Sequence, residues 1–174
     1  EEVIKQIQEW QDLGLSGKRV AINFSAKQLN DEGYIDYLRA TLSRYNVDAS
    51  MLEIEITESI FLEKKQLAID FLNRLKDLGV KIALDDFGTG YSSFSYLIFL
   101  PVDKIKLDKS LSDKFLDLES VKIMDSLISL SHSLGLEVIA EGVEEKAQFK
   151  RLKAGKCDYI QGYLFSKPLE ADQA

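Results

Sequence analysis

The chain has 174 residues, of which 45% are hydrophobic and 29% are charged, as is usual for a globular domain with a buried core. This length predicts a single domain, residues 1–174. The formal net charge of −7 argues against a non-specific binder of DNA or RNA, which is usually basic. The sequence contains no run of about 18 apolar residues, so no membrane span is predicted. The single cysteine, Cys157, excludes an intrachain disulfide framework, so we expect a cytoplasmic domain.

The first half of the chain alternates between helical and strand-like hydrophobic patterns. The predicted elements, in chain order, are a helix over 1–13, a strand over 19–24, a helix over 31–45, a strand over 51–57, a helix over 61–78 and a strand over 80–84. The strand over 19–24 is predicted to be buried, and the strand over 51–57 to carry acids on one face. The second helix has a predicted apolar stripe of Tyr34, Tyr37, Leu38 and Leu42.

The second half continues the same alternation. It predicts a short helix over 92–100, a strand over 103–108, a helix over 118–134, a strand over 136–141, a helix over 144–153 and a strand over 158–163. Strands that alternate with helices predict a parallel sheet with right-handed crossovers. Both an open doubly wound sheet and a closed barrel satisfy this pattern.

Polar residues fall near the C-terminal ends of all six predicted strands. They are Asn23, Glu55, Glu58, Asp85, Asp86, Lys106, Glu141 and Gln161. In an open sheet ligands gather at a switch point, whereas in a (β/α)₈ barrel every strand end faces one site. The pattern therefore favours an α/β fold of the TIM-like barrel type. Such a barrel has eight strands and about 250 residues, so about two of its eight strand–helix units are missing here.

The adjacent pair Asp85 and Asp86 follows the apolar run over 80–84. Two neighbouring carboxylates repel each other unless a cation, a proton or a hydrogen-bond donor intervenes. Mg²⁺ or Mn²⁺ favours such oxygen ligands. The alternative is a solvated loop in which one aspartate caps the next helix. The other polar residues have similar alternatives, since Asn23 could cap a turn and Lys106 could be a surface lysine.

Six motifs in order carry a resemblance to a known family. They are 23–29 (NFSAKQL), 55–59 (EITES), 85–93 (DDFGTGYSS), 101–108 (PVDKIKLD), 140–144 (AEGVE) and 161–163 (QGY). With them the chain resembles, over nearly its whole length, the EAL family of bacterial cyclic-di-GMP phosphodiesterases. The Glu-Ala-Leu segment that names the family is absent from this sequence. Since that segment lies on an early strand in the family, the resemblance implies an N-terminally truncated domain.

The resemblance implies a TIM-like barrel that hydrolyses cyclic-di-GMP to linear pGpG with two Mg²⁺ or Mn²⁺ ions. Ca²⁺ is expected to inhibit, because its larger and looser coordination fits a two-metal geometry poorly. The implied metal ligands are Asn23, Glu55, Asp85 and Asp86, and one of the two aspartates serves both ions. Without the Glu-Ala-Leu glutamate, we expect residues 1–174 alone to show no measurable activity.

The resemblance also implies roles for residues outside the ligand set. Lys106 would orient the attacking water, Glu141 would complete the metal–water network, and Gln161 would hold a water or a ligand. Glu58 would anchor a loop near the second metal site. The implied loop residues are Phe87, Gly88, Thr89, Gly90 and Ser92.

The implied partners are cyclic-di-GMP, a second copy of the domain in a homodimer, and sensory or GGDEF-type domains fused to it, without DNA or RNA. Two alternatives to the enzyme remain open at this point. One is a receptor that binds cyclic-di-GMP without cleaving it, and the other is a fragment that acts only in dimerisation. The residue at the glutamate of the Glu-Ala-Leu strand would distinguish the enzyme from the receptor.

Overall fold

A computed structural model describes residues 1–15, 17, 19–89, 97–115, 121–171 and 173 of the chain. The strands are β1 (Val20–Asn23), β2 (Leu52–Thr57), β3 (Lys81–Phe87), β4 (Lys104–Leu107), β5 (Glu137–Ala140) and β6 (Tyr159–Ile160). The helices are α1 (Glu2–Asp12), α2 (Tyr34–Arg44), α3 (Ile60–Asp77), α4 (Lys109–Phe115), α5 (Val121–Ser133) and α6 (Lys146–Ala154). Short 3₁₀ helices lie at Ala26–Asn30 and Ala49–Met51. In the part of the chain that the model describes, no helix is long and apolar enough to cross a membrane.

The six strands form one sheet in the chain order β1-β2-β3-β4-β5-β6. The pairs β1–β2, β4–β5 and β5–β6 are parallel, as predicted. In parallel pairs the carboxyl ends of neighbouring strands lie at the same edge, so polar residues that follow the strands are brought to that edge. The chain divides into two compact units, Glu1–Ala83 and Leu84–Ala174.

The core of the first unit lies between β2 and its helices. Leu52, Ile54 and Ile56 of β2 are completely buried. The rings of Phe24 and Phe71 stack with their centroids 4.9 Å apart. Such aromatic pairs contribute about 0.5–1.5 kcal/mol beyond the area that they bury. Phe24, which follows β1, is therefore packed against α3.

Three details of the first unit differ from the predictions. Tyr37 is exposed and its hydroxyl donates to Glu1, because the buried face of α2 follows the spacing of Ile35, Leu38 and Leu42. Glu53, on the predicted acidic face of β2, is buried, which the sequence did not predict, and accepts from Arg19 at 3.1 Å. The predicted burial of β1 is wrong at alternate residues.

Ala21 and Asn23 of β1 are exposed, while Val20 and Ile22 are half-buried. Within the described sheet β1 is an edge strand that pairs with β2 alone. A strand with one neighbour and one covered face shows this alternation, whereas a central parallel strand is buried on both faces.

The core of the second unit is built on the interior of the sheet, where Leu84, Ile105, Leu107 and Val138 are completely buried. The sequence prediction missed α4, whose first turn is capped by Asp108: its Oδ1 accepts from the Ser110 backbone N–H at 2.9 Å. The predicted helix over 118–134 is observed as α5, with residues 118–120 outside the described residues.

The predicted helix over 92–100 lies outside the described residues up to residue 96, and Ile98 to Leu100 are not helical. The predicted strand over 158–163 is shorter, because β6 ends at Ile160. Beyond it, the Gln161 carbonyl accepts from the Val143 N–H, in a loop rather than a ladder. There Gly162 is required by space, since a Cβ at this position would lie 2.1 Å from the Val143 carbonyl oxygen.

Candidate active site

Lys106 is the centre of the candidate site and lies on β4 with only 5% of its surface exposed. Its Nζ lies 2.9 Å from Oδ1 of Asp85 and 3.0 Å from Oε1 of Glu141. Asp85 belongs to the end of β3, and Glu141 follows β5. A buried ammonium group is costly unless it is paired and hydrogen-bonded. The two carboxylates therefore stabilise the charged form of the buried lysine at the C-terminal ends of the strands.

The register of the sheet explains how Glu141 reaches this lysine. Leu107 of β4 is opposite Ala140 of β5. The Glu141 backbone N–H then donates to the Leu107 carbonyl at 3.0 Å, which continues the ladder one residue past the strand. The backbone segments that carry Lys106 and Glu141 are consequently hydrogen-bonded neighbours, which fixes the positions from which their side chains meet.

Asp86 joins Asp85 and Glu141 in a carboxylate cluster. One oxygen from each of the three side chains lies within 4.8 Å of the others. Successive residues of a regular strand point to opposite faces. The backbone of Asp86 instead has φ +55°, in the left-handed region, and its N–H donates to Oδ1 of Asp85 at 3.0 Å. This local turn accounts for two consecutive aspartates that serve one cluster.

The donor set of this cluster fits a divalent cation. Carboxylate oxygens are the ligands that Mg²⁺, Mn²⁺ and Ca²⁺ prefer. Three carboxylates so close together repel one another, and Lys106 contributes one positive charge among them. Asp86 is exposed, and Asp85 and Glu141 are half-buried, so the cluster is open to an ion and to a ligand from solvent.

The loop that follows Glu141 is held from two sides, which the sequence prediction missed. Lys109 of α4 lies across Gly142, where a Cβ would approach its side chain to 2.6 Å and where φ is +64°. The Lys109 Nζ contacts Oε1 of Glu144 at 2.6 Å. From the other side, Oε1 of Gln148 accepts from the Glu144 and Glu145 backbone N–H groups. The spacing of Glu145 and Gln148 is that of a capping box, and could have revealed this support.

In the first unit, Asn23 and Glu55 are opposite each other at the ends of β1 and β2. The backbone N–H of Phe24 donates to the Glu55 carbonyl at 2.8 Å, so the pairing continues past the strand end. Asn23 is exposed, while Glu55 and Glu58 are half-buried. The predicted neighbourhood of Asn23 and Glu55 at adjacent strand ends is confirmed, and their roles stay predictions.

The remaining predicted residues lie in the second unit. Phe87 is buried, and Gly88 has φ +100° and faces Leu111 so closely that a Cβ would lie 2.3 Å from Cδ1 of that residue. Oγ1 of Thr89 donates to the Asp86 carbonyl at 2.9 Å and so tightens the turn after the aspartates. The main chain of Gln161 bonds to Ala140 and Val143. Gly90 and Ser92 lie outside the described residues.

The family model described as "EAL domain" matches residues 1–168. The chain belongs to the EAL domain family. The resemblance in the six motifs is thereby confirmed. Signaling protein YkoW of Bacillus subtilis is 40% identical over 174 residues, which are 99% of this chain and 22% of that protein. Cyclic di-GMP phosphodiesterase PdeR of Escherichia coli is 37% identical over 171 residues, 98% of this chain and 26% of that protein.

A solved EAL structure, the Pseudomonas aeruginosa MucR phosphodiesterase in a c-di-GMP complex, has 35% identity and a TM-score of 0.89. The alignment covers 99% of this chain and 70% of that one. The expected TIM-like α/β fold is thus confirmed, with six strands in the described residues. Since the chain spans only 22% and 26% of the length of YkoW and PdeR, its EAL domain is compared with a minor part of each relative.

Proposed function

We propose that this EAL domain hydrolyses cyclic-di-GMP to linear pGpG with two divalent metal ions, Mg²⁺ or Mn²⁺. The observation that carries the proposal is the cluster of Asp85, Asp86 and Glu141 around the buried Lys106. Family membership supports the substrate, because PdeR is named a cyclic di-GMP phosphodiesterase and the MucR structure is a c-di-GMP complex.

The carboxylates of Asp85, Asp86 and Glu141 would hold metal in this scheme. Asn23 and Glu55 are further ligands in the proposal, based on their place in the family motifs. Divalent ions, when bound, polarise phosphate oxygens and make a bound water more acidic. An oxygen-only ligand set suits the hard cations Mg²⁺ and Mn²⁺. Ca²⁺ is expected to inhibit, because it prefers longer and looser coordination.

Lys106 contributes in two ways. Its contacts with Asp85 and Glu141 hold the two carboxylates at fixed separation before substrate arrives. Its ammonium group also provides a positive charge in a partly dry site, where it stabilises negative charge that develops on a phosphate and orients the attacking water. Because the lysine is nearly buried, no solvent reorganisation is needed to place that charge.

The other predicted residues act by positioning. In the proposal Gln161 holds a water or ligand, and Glu58 anchors the turn that begins at Gly88. Phosphodiester hydrolysis depends mostly on positioning and charge neutralisation, so such residues affect the rate without touching the reacting phosphorus.

The decisive experiment is hydrolysis of cyclic-di-GMP by the full-length protein, followed by chromatography of the nucleotides. We expect pGpG to form with Mg²⁺ or Mn²⁺, and not with Ca²⁺ alone or with EDTA. Tight binding of cyclic-di-GMP without any product in Mg²⁺ and Mn²⁺ would contradict the enzyme and would favour a receptor. If the protein neither binds nor hydrolyses cyclic-di-GMP, both functions are contradicted.

We also propose that the domain works in the cytoplasm as a homodimer and is fused to sensory or GGDEF-type domains. Its relatives support the fusion, because MucR is named a bifunctional diguanylate cyclase and cyclic di-GMP phosphodiesterase. Light scattering of the full-length protein across a concentration series tests the dimer. A constant monomer mass at the concentrations used for catalysis would contradict it.

A further inference from the structure

An apolar groove lies on the second unit, between α6 and the segment after β6. Its cavity has a volume of about 340 Å³ and is lined by Lys146, Phe149, Lys150, Leu164 and Phe165. The rings of Phe149 and Phe165 meet edge to face, with their centroids 5.8 Å apart. Phe165 is 59% exposed, so its ring is accessible to a ligand from solvent. A groove of this size accommodates one or two large apolar side chains.

The groove adjoins the most basic stretch of an acidic chain. Residues 146–156 contain five lysines and arginines and no aspartate or glutamate, whereas the whole chain has a net charge of −7. Within the described residues, no ion pair joins Lys146, Lys150 or Lys156 to a carboxylate. Lys146 and Lys150 are four residues apart on α6 and both line the groove, so they lie on the same face of the helix.

We propose that this groove binds an acidic peptide segment of a protein partner, with one aromatic or aliphatic side chain seated in the cavity against the paired rings of Phe149 and Phe165. The apolar cavity accounts for the anchoring side chain, and Lys146 and Lys150 on the wall formed by α6 account for carboxylates next to it. Charge complementarity of this kind speeds encounter and selects the partner more than it raises affinity. The surface is distinct from the carboxylate cluster, none of whose residues lines the groove.

The shape of the groove favours a peptide over an anionic membrane surface. A membrane-binding helix lays a broad apolar face into the lipid. In α6 the apolar Leu152 is completely buried in the protein. The exposed apolar surface belongs instead to a concave site with aromatic walls, which recognises a single anchoring side chain.

A displayed library of short random peptides, selected on the purified protein, tests the proposal. We expect the enriched peptides to carry several acidic residues around one Phe, Trp or Leu. In fluorescence anisotropy, their binding should weaken at high salt. It should also weaken roughly tenfold in the double variant Lys146→Glu/Lys150→Glu, since two exposed ion pairs are replaced by repulsion. Phe165→Ser, a change at an exposed ring, should abolish binding of the anchor.

The matched control is Lys5→Glu/Lys122→Glu, which changes the net charge equally at exposed lysines that do not line the groove. This control should bind the peptides like the unmodified protein. The proposal is overturned if no peptides are enriched, if the enriched peptides lack acidic residues, or if both double variants bind them equally. It is also overturned if the groove variants instead lose binding to vesicles of phosphatidylcholine and phosphatidylglycerol while peptides do not bind.

Discussion

The two lysines of β4 lie two residues apart, so their side chains leave the same face of the strand. Both are nearly buried, with Lys104 7% and Lys106 5% exposed. Lys104, at the N-terminal end, has its Nζ 4.7 Å from the centre of the Tyr159 ring. The Tyr159 hydroxyl donates to Oε1 of Glu137, the residue opposite Lys104 in the register. Lys106, at the C-terminal end, contacts the carboxylates of Asp85 and Glu141.

In the proposed function, this difference separates a structural lysine, Lys104, from a functional one, Lys106. At the N-terminal end, Lys104 lies over the face of the Tyr159 ring, and the Tyr159 hydroxyl donates to the Glu137 carboxylate. At the C-terminal end, three carboxylates lie within 4.8 Å of one another. These carboxylates repel one another unless a cation is bound, whereas a buried lysine needs only a partner. Crowded carboxylates therefore indicate a metal site more specifically than a buried lysine does.

The largest effect is expected from Asp85→Asn, which replaces an anionic oxygen of the cluster by an amide. Since loss of even an outer partner of a metal ligand costs roughly 10–100-fold, pGpG formation in Mg²⁺ should fall below detection. Mn²⁺ binding measured by calorimetry should weaken as well. The control is Glu137→Gln at the other end of the sheet, which should retain turnover. Near wild-type pGpG production by Asp85→Asn would refute the metal assignment.

A direct comparison of Lys106→Met with Lys104→Met should give the next largest difference. Methionine keeps the apolar stem of either lysine and removes the charge. Loss of a preorganised positive group at a developing charge costs about 100-fold or more in turnover, so we expect that loss for Lys106→Met only. Mn²⁺ binding should persist in both variants, because neither lysine is a ligand. Equal turnover in the two variants would show that the ends of β4 are functionally alike.

The sequence could not distinguish these two lysines, because both occupy alternate positions of one short strand. Periodicity and strand ends were sufficient for the six strands and for placing Asp85, Lys106 and Glu141 at one edge. The left-handed backbone of Asp86 was not predictable, because it depends on the turn that Thr89 closes. The helix α4 was missed for a similar reason, since its seven residues carry too few apolar positions to show a period.

The reactivity of the Cys157 thiol tests whether the N-terminal end of the sheet is chemically inert. Burial raises the pKa of its thiol from 9.0 to about 11, and Sγ lies 3.1 Å from the Tyr159 carbonyl oxygen. The thiolate is the reactive form, so near pH 8 its population should be about 100-fold below that of a thiol with pKa 9. Iodoacetamide should therefore label the folded protein slowly and the urea-unfolded protein fast.

The sign of the pH dependence follows from the same shift. The fold favours the protonated thiol, and the unfolded chain loses this proton first as the pH rises through 9. The contribution of Cys157 to stability is therefore present below pH 9 and is lost towards pH 11. The variant Cys157→Ser should reduce the decline of the unfolding free energy over that window. Rapid labelling of the folded protein at pH 8 would mean that the thiol is not shielded.

The smallest effect is expected from the pair of Lys109 and Glu144, which supports Glu141 from outside the cluster. Their contact raises the pKa of Lys109, chiefly through the hydrogen bond from its ammonium group to Glu144. Exposed ion pairs contribute little to stability, so Lys109→Met should lower turnover by roughly two- to fivefold and leave the melting temperature nearly unchanged. The methionine stem still covers Gly142, so any loss reports the charge rather than the packing. The exchanged pair Lys109→Glu/Glu144→Lys should recover turnover, whereas Glu144→Lys alone should not. If the exchanged pair is no better than the single variants while all of them melt together, the loop does not position Glu141 through this contact, and the site is confined to the carboxylates and Lys106.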